Sequence, residues 1–341
     1  MLQTDKGHPD QDSVAPYRAL GRGKPFADAV LLMETFGFRA ISQPLKYSRE
    51  ERQKWADTVY RSCADLAALW GIPERAIGGY GRLALGMPIA GSPSALATYH
   101  DRARAITVAA SSTDFARAWI LAWDHMLGDM ARQPSPGRTP FPRDPEASPL
   151  LSASLPLYCR SGYRGHERFH ILTPALLRER LQQAPKAPHQ PGWVEDWMRT
   201  VVALRWKSTA GQIRPTEYFV ASQKAEGRKI QPYWSAPQEM MARALSFWIA
   251  HQAAQNGVRN PWLAQPTLSL PRPLAPAAQS AIERGLKSLV PVLDQQGATL
   301  VHDMRKWAAL MESVQMPQAV PEDFLEDPSD MATEEEGSHP H

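Results

Sequence analysis

The chain has 341 residues, 43% of them hydrophobic, which is enough for one large or two ordinary globular domains with a substantial core. No apolar run is long enough to span a bilayer, and the N-terminal MLQTDKGHPDQDS has no hydrophobic signal segment, so a membrane role is set aside and the expected address is the cytoplasm. The net charge of +3 hides an asymmetry: residues 321–341 hold eight acids and no Lys or Arg, and removing them leaves residues 1–320 at +11, a body suited to nucleic acid or an acidic protein partner, with the tail as competitor.

In chain order, residues 1–22 are polar and read as disordered. A first helix fits Pro25 to Thr35, ended by Gly37. Ser48 and Glu51 make a capping box for a second helix, along which Trp55, Val59, Cys63, Leu66 and Leu69 repeat at helical spacing until Gly71 and Pro73 stop it. The stretches 77–86, 95–100 and 103–110 lean towards strands and suggest a small antiparallel sheet. A third helix runs from Ser112 to about Leu127, with Ser112 as cap, Asp114 and Phe115 in its first turn, and Phe115, Ala118, Trp119, Ala122, Trp123 and Met126 as its apolar stripe.

Residues 133–157 are a Pro/Ser-rich connection. Later helices fit Thr173 to Gln183, Trp193 to Trp206, Ser235 to Asn256 with Gly257 as stop, Ala275 to Leu289, and Gly297 to Met311. The fold class is α+β and mainly helical. The expected organisation is a disordered 1–22, a structured part 23–132, the connection 133–157, a helical part 158–265 completing the same domain, C-terminal helices 266–320 and an acidic tail 321–341.

One motif points directly at chemistry. His166, Glu167 and His170 form H-E-x-x-H, which on a helix places two imidazoles on one zinc and a general base beside its water. Its surroundings argue otherwise. Gly162 and Gly165 precede it, and Thr173-Pro174 looks like the cap and first position of a new helix, so the segment reads as a strand or loop. In an extended chain the two imidazoles lie about 13 Å apart, too far for one zinc. Only Cys63 and Cys159 are present, in no C-x-x-C pair, which excludes a thiolate zinc finger.

Several stretches together resemble the large polyvalent protein-associated domain 1 family, a zincin-like metallopeptidase domain of phage and plasmid polyvalent proteins. They are FGFR at 36–39, DLAALWGIPERAI at 65–77, GRLALG at 81–86, TYHDRARAITVA at 98–109, the helix at 112–127, PYWSAPQEMMARALSFW at 232–248 and NPWL at 260–263. Order and spacing carry the resemblance across about two thirds of the chain. It implies a zincin-like fold, with the sheet packed on a helix that carries the zinc motif L-A-H-E-W-G-H-A-L-D-H.

Here that helix reads FARAWILAWDH, 115–125. The resemblance puts Arg117 and Leu121 at the two histidine positions and Ala118 at the glutamate, keeps the trailing Asp124 and His125, and gives Glu239 the place of a third ligand. Arg is always protonated and Leu has no lone pair, so this former site is degenerate and neither a metal nor a catalytic residue is expected in it. Arg117 is expected to replace the zinc charge and pair with Glu239, with Asp124 near them; the alternative is Arg117 in solvent and Glu239 an ordinary acid after Ser235.

The resemblance thus implies a non-catalytic, pseudo-metallopeptidase module of a mobile genetic element that acts by binding protein or nucleic acid in phage or plasmid conflict with a host. No small-molecule cofactor motif is evident. For nucleic acid, the suited stretch holds Arg205, Lys207, Arg214, Lys224, Arg228 and Lys229, interleaved with Trp206, Tyr218, Phe219, Tyr233 and Trp234. The alternative is that these aromatics are core. The competing function is an active zinc metallopeptidase using His166, Glu167 and His170, with Glu179 or His189 as third ligand.

Overall fold

The computed structural model describes residues 27–88, 97–100, 102–109, 114–132, 150, 152, 192–209, 212–226, 233–265 and 274–313. Among the described residues no helix is long and apolar enough to cross a membrane. The chain is α+β, mostly helical, with two small sheets.

Helix α1 (Ala29–Phe36) starts at Asp28, whose side chain accepts from the Leu31 amide, and stops at Gly37, whose φ of 66° is the left-handed value that ends a helix. After β1 (Ala40–Ser42), the Ser48/Glu51 capping box opens α2 (Arg49–Trp70), and Gly71 closes it with φ 57°. Trp55, Val59, Cys63 and Leu66 of its predicted stripe are buried.

Strands β2 (Ala84–Gly86), β3 (Thr98–His100) and β4 (Ala105–Thr107) join β1 in a four-stranded sheet of order β1-β2-β4-β3. The expected antiparallel sheet is a mixed one. β1, β2 and β4 are parallel, in the register Ala40, Ala84, Ala105, and antiparallel pairing is confined to β3 with β4. Parallel neighbours need a long crossover, and α2 supplies it between β1 and β2. The sheet packs on α3 (Phe115–Arg132), which starts three residues later than Ser112 predicts. Asp114 therefore precedes the helix rather than lying in its first turn, and Ser112 itself lies outside the described residues.

α4 (Gly192–Arg205) runs into a hairpin of β5 (Trp206–Thr209) and β6 (Gln212–Pro215), which the sequence reading did not contain. α5 (Glu217–Glu226) and α6 (Pro237–Gln255) follow, then α7 (Pro276–Ser288) and α8 (Val290–Ser313). α8 begins seven residues before Gly297, which is an interior position. A Cβ there would stand 2.5 Å from the Trp248 ring, so this glycine permits close packing and is not a helix start. The helix expected at 173–183 and the acidic tail lie outside the described residues.

α6 is the centre of the molecule. Every residue from Met240 to Ala250 is buried, the mark of a helix covered on all sides. It packs on α2, α3, α4 and α8. Trp70 of α2 makes edge contacts with Trp119 of α3, centroids 5.6 Å apart, and with Trp248 of α6 at 5.9 Å. The abundant tryptophans thus tie the two halves of the chain into one core.

Candidate functional site

Within this apolar centre sits a group of charges, built from short-range pairs on two helices. Asp114 and Arg117 lie three residues apart at the start of α3, and Glu239 and Arg243 lie four apart on α6, spacings that put each pair on one face. The Arg117 guanidinium donates through Nε to Asp114 Oδ2 (3.1 Å), through Nη1 to Glu239 Oε2 (3.3 Å) and through Nη2 to the Ala97 carbonyl (3.2 Å). Arg117 is 5% exposed. Burial alone would lower its pKa, but Asp114 and Glu239 more than reverse that and hold it above the ordinary value.

The surrounding groups complete the network. Asp114 Oδ1 accepts from Ser246 Oγ at 2.7 Å, yet burial outweighs these donors and raises its carboxyl to about 6. The two directions agree, since Arg117 serves two carboxylates while Asp114 faces one cation. Arg243 donates to Tyr218 Oη (3.3 Å) and to the Trp234 carbonyl, and its Nη1 lies 3.8 Å from Glu239. Tyr233 is pushed up to about 12 by burial and by Glu239, with which its hydroxyl hydrogen-bonds. A largely buried knot of two cations and two carboxylates therefore binds α3 to α6.

The other residues of the expected former site fall elsewhere. Ala118 and Leu121 are core. Asp124 does not join Arg117: its carboxylate accepts from the Ser152 amide (2.9 Å), the Ser152 hydroxyl and Trp197 Nε1 (2.7 Å), which pins α4 to α3. His125 Nδ1 is 2.5 Å from Tyr99 Oη, and its Nε2 is 3.7 Å from Asp129. Among the described residues no three His, Cys, Asp or Glu side chains converge as a metal would require.

The helix that supplies Glu239 and Arg243 also decides the relationship. Residues 225–284 match the family model described as large polyvalent protein-associated domain 1. This segment is similar to that family. No curated protein and no solved structure matches the chain. The large polyvalent protein-associated domain 1 segment contains one half of the charged knot, Glu239, Arg243 and Ser246, while Asp114 and Arg117 reach it from 122 to 132 residues earlier.

The zinc that the family resemblance implies does not fit Arg117 and Leu121, the residues that the same resemblance puts at its ligand positions. A guanidinium repels a divalent cation and carries no lone pair, and an aliphatic side chain follows it one turn on. His166, Glu167 and His170 lie outside the described residues.

The residues of the basic stretch divide between surface and core. Lys207, Arg214 and Lys224 are exposed, and Arg228 and Lys229 lie outside the described residues. Tyr218, Phe219 and Trp234 are buried, so they offer no face to a base, and Arg205 lies 4.3 Å over the Phe219 ring. Sequence reasoning missed Asp114, Tyr218, Tyr233, Arg243 and Ser246 as members of the knot. The available signal was the matched acid–cation spacing on two helices that must both be buried.

Proposed function

We propose that the chain is a non-catalytic, zincin-like module of a phage- or plasmid-borne polyvalent protein, working by binding, in which a protein-internal cation has taken the place of a catalytic metal. The observation that carries this reading is the Arg117 guanidinium, buried and 3.3 Å from Glu239, since Glu239 is the residue to which the resemblance gives a ligand role. A carboxylate left largely out of water by a lost metal needs a cation, and Arg117 supplies one to Glu239, whose side chain is 15% exposed, without requiring imidazoles. The family match over 225–284 supports the setting. With Ala118 in place of the general base and Leu121 in place of a ligand, the residues hold no group to activate water there.

The test is to put the ligands back. In an Arg117→His/Leu121→His variant, two imidazoles four residues apart on α3 would share a face with Glu239 opposite. The expected result is about one zinc per chain by metal analysis, lost when Glu239→Gln is added. A folded double variant that takes up no zinc would sink the zincin-like reading. The unaltered chain should hold far less than one zinc; a full equivalent that disappears in His166→Ala/His170→Ala would overturn this reading in favour of a zinc site at His166 and His170.

A further inference from the structure

We propose that the N-terminal end of the parallel strands β1, β2 and β4 is a binding surface for the phosphate backbone of a nucleic acid, formed by Arg39, Arg82 and Arg104. Arg39 immediately precedes β1, Arg104 immediately precedes β4, and Arg82 stands two residues before β2. Because the three strands are parallel and in register, these side chains share one end of the sheet. Each is anchored there: Arg39 Nη2 donates to the Ala103 carbonyl (2.9 Å), Arg82 Nη1 to the Gly79 carbonyl (3.2 Å), and Arg104 Nη2 pairs with Asp129 Oδ2 at 2.6 Å.

Two independent features single this end out. Among the described residues the non-glycine positions with positive φ are Arg104 (44°) and Tyr80 (54°), the latter two residues before Arg82. Left-handed backbone at such residues is strained and is kept where the surroundings hold it, a pattern concentrated at functional sites. The charges also crowd one another. Burial first, and then the charge of Arg104, holds Arg39 and Arg82 below their ordinary values, in Arg82 even against the opposing pull of Asp129. An added anion would relieve that repulsion.

The chemistry favours phosphate. Guanidinium forks match phosphate oxygens two at a time and stay charged at any working pH. The Arg104 side chain is 44% exposed, and Arg102 on the same turn is exposed as well, so a polymer can lie across the sheet end. A body of +11 over residues 1–320 draws a polyanion from a distance. This surface extends the binding reading above to a partner, and it is distinct from the stretch around Lys207 and Arg214.

The experiment is fluorescence anisotropy of the full chain with a labelled random-sequence duplex, titrated across salt. The Arg82→Gln/Arg104→Gln variant should bind roughly tenfold more weakly, with a slope of log affinity against log salt shallower by about 1.8. Lys207→Gln/Arg214→Gln should leave both unchanged. Circular dichroism checks folding, and if the first variant does not fold, the exposed pair Arg102→Gln/Arg104→Gln is expected to give the same loss of slope. Unchanged affinity and slope in a folded arginine variant overturn the proposal. So does failure of the intact chain to bind, and binding that emerges only after the acids of 321–341 are replaced by Gln and Asn would assign the surface to that tail. Neither failure touches the Arg117 reading, which rests on zinc uptake.

Discussion

Asp114 receives a hydrogen bond from Ser246 and an ion pair from Arg117, and burial still dominates its proton affinity. Its carboxyl rises from an ordinary 3.8 to about 6. The native state then binds the proton more tightly than the unfolded state does. Stability from this group is fully present below about pH 4 and is lost as pH rises through about 6, an effect of about 1–3 kcal/mol. Urea titrations of the native chain and of Asp114→Asn, compared from pH 4 to 7, isolate it: the native protein should lose stability relative to the variant across that window. A constant difference between the two would mean that Asp114 titrates at its ordinary value. The same residue shows why the knot is no simple stabiliser, since removing a buried charge from water costs about as much as pairing returns.

At the scale of elements, the close approaches are made by glycine. A Cβ on Gly285 of α7 would stand 2.5 Å from the Tyr218 Cα of α5, and backbone cannot swing aside as a long side chain can. Alanine is the better helix former by about 1 kcal/mol, yet Gly285→Ala should destabilise by about 1–3 kcal/mol, because the two helices must separate. A thermal melt reads the sign directly; a gain in melting temperature would show that α5 and α7 can move apart freely.

Such contacts explain what was legible beforehand. α2 and the end of α6 could be read because their signals are local: Ser48 with Glu51, Gly71 and Gly257 lie within a few residues of the ends they mark, whereas the start of α6 at Pro237 falls two residues after the Ser235 that the sequence suggests. The three-residue β1 has no periodicity to show, and the parallel pairing of Ala40 with Ala84 is settled by tertiary packing. Gly297 differs from the expected helix start because a glycine that admits the Trp248 ring inside a helix carries the same letter as one at a helix boundary. For the site, Arg117 and Glu239 could be named from the resemblance, whereas Arg243, Tyr218 and Tyr233 join them only through the fold.

At the scale of the whole molecule, the large polyvalent protein-associated domain 1 segment is embedded in its surroundings. Within 225–284, α6 is buried from Met240 to Ala250, and much of what covers it is supplied by α2, α3, α4 and α8. The loop after α6 is held from the N-terminal half as well. Asn260 donates to Ser62 (3.1 Å) and Asp65 (2.7 Å), while the Phe115 and Ala116 amides donate to the Trp262 and Leu263 carbonyls. Excised, the segment would expose that apolar surface and leave Glu239 without Arg117, and a chain of that length has little core with which to compensate. Residues 225–284 expressed alone should therefore show no cooperative thermal transition by circular dichroism, while the full chain melts in one. A cooperative melt of the isolated segment would mean that the family unit folds first and that the N-terminal half docks on it. The charged knot would then be an interface between two folded parts, and not the centre of a single one.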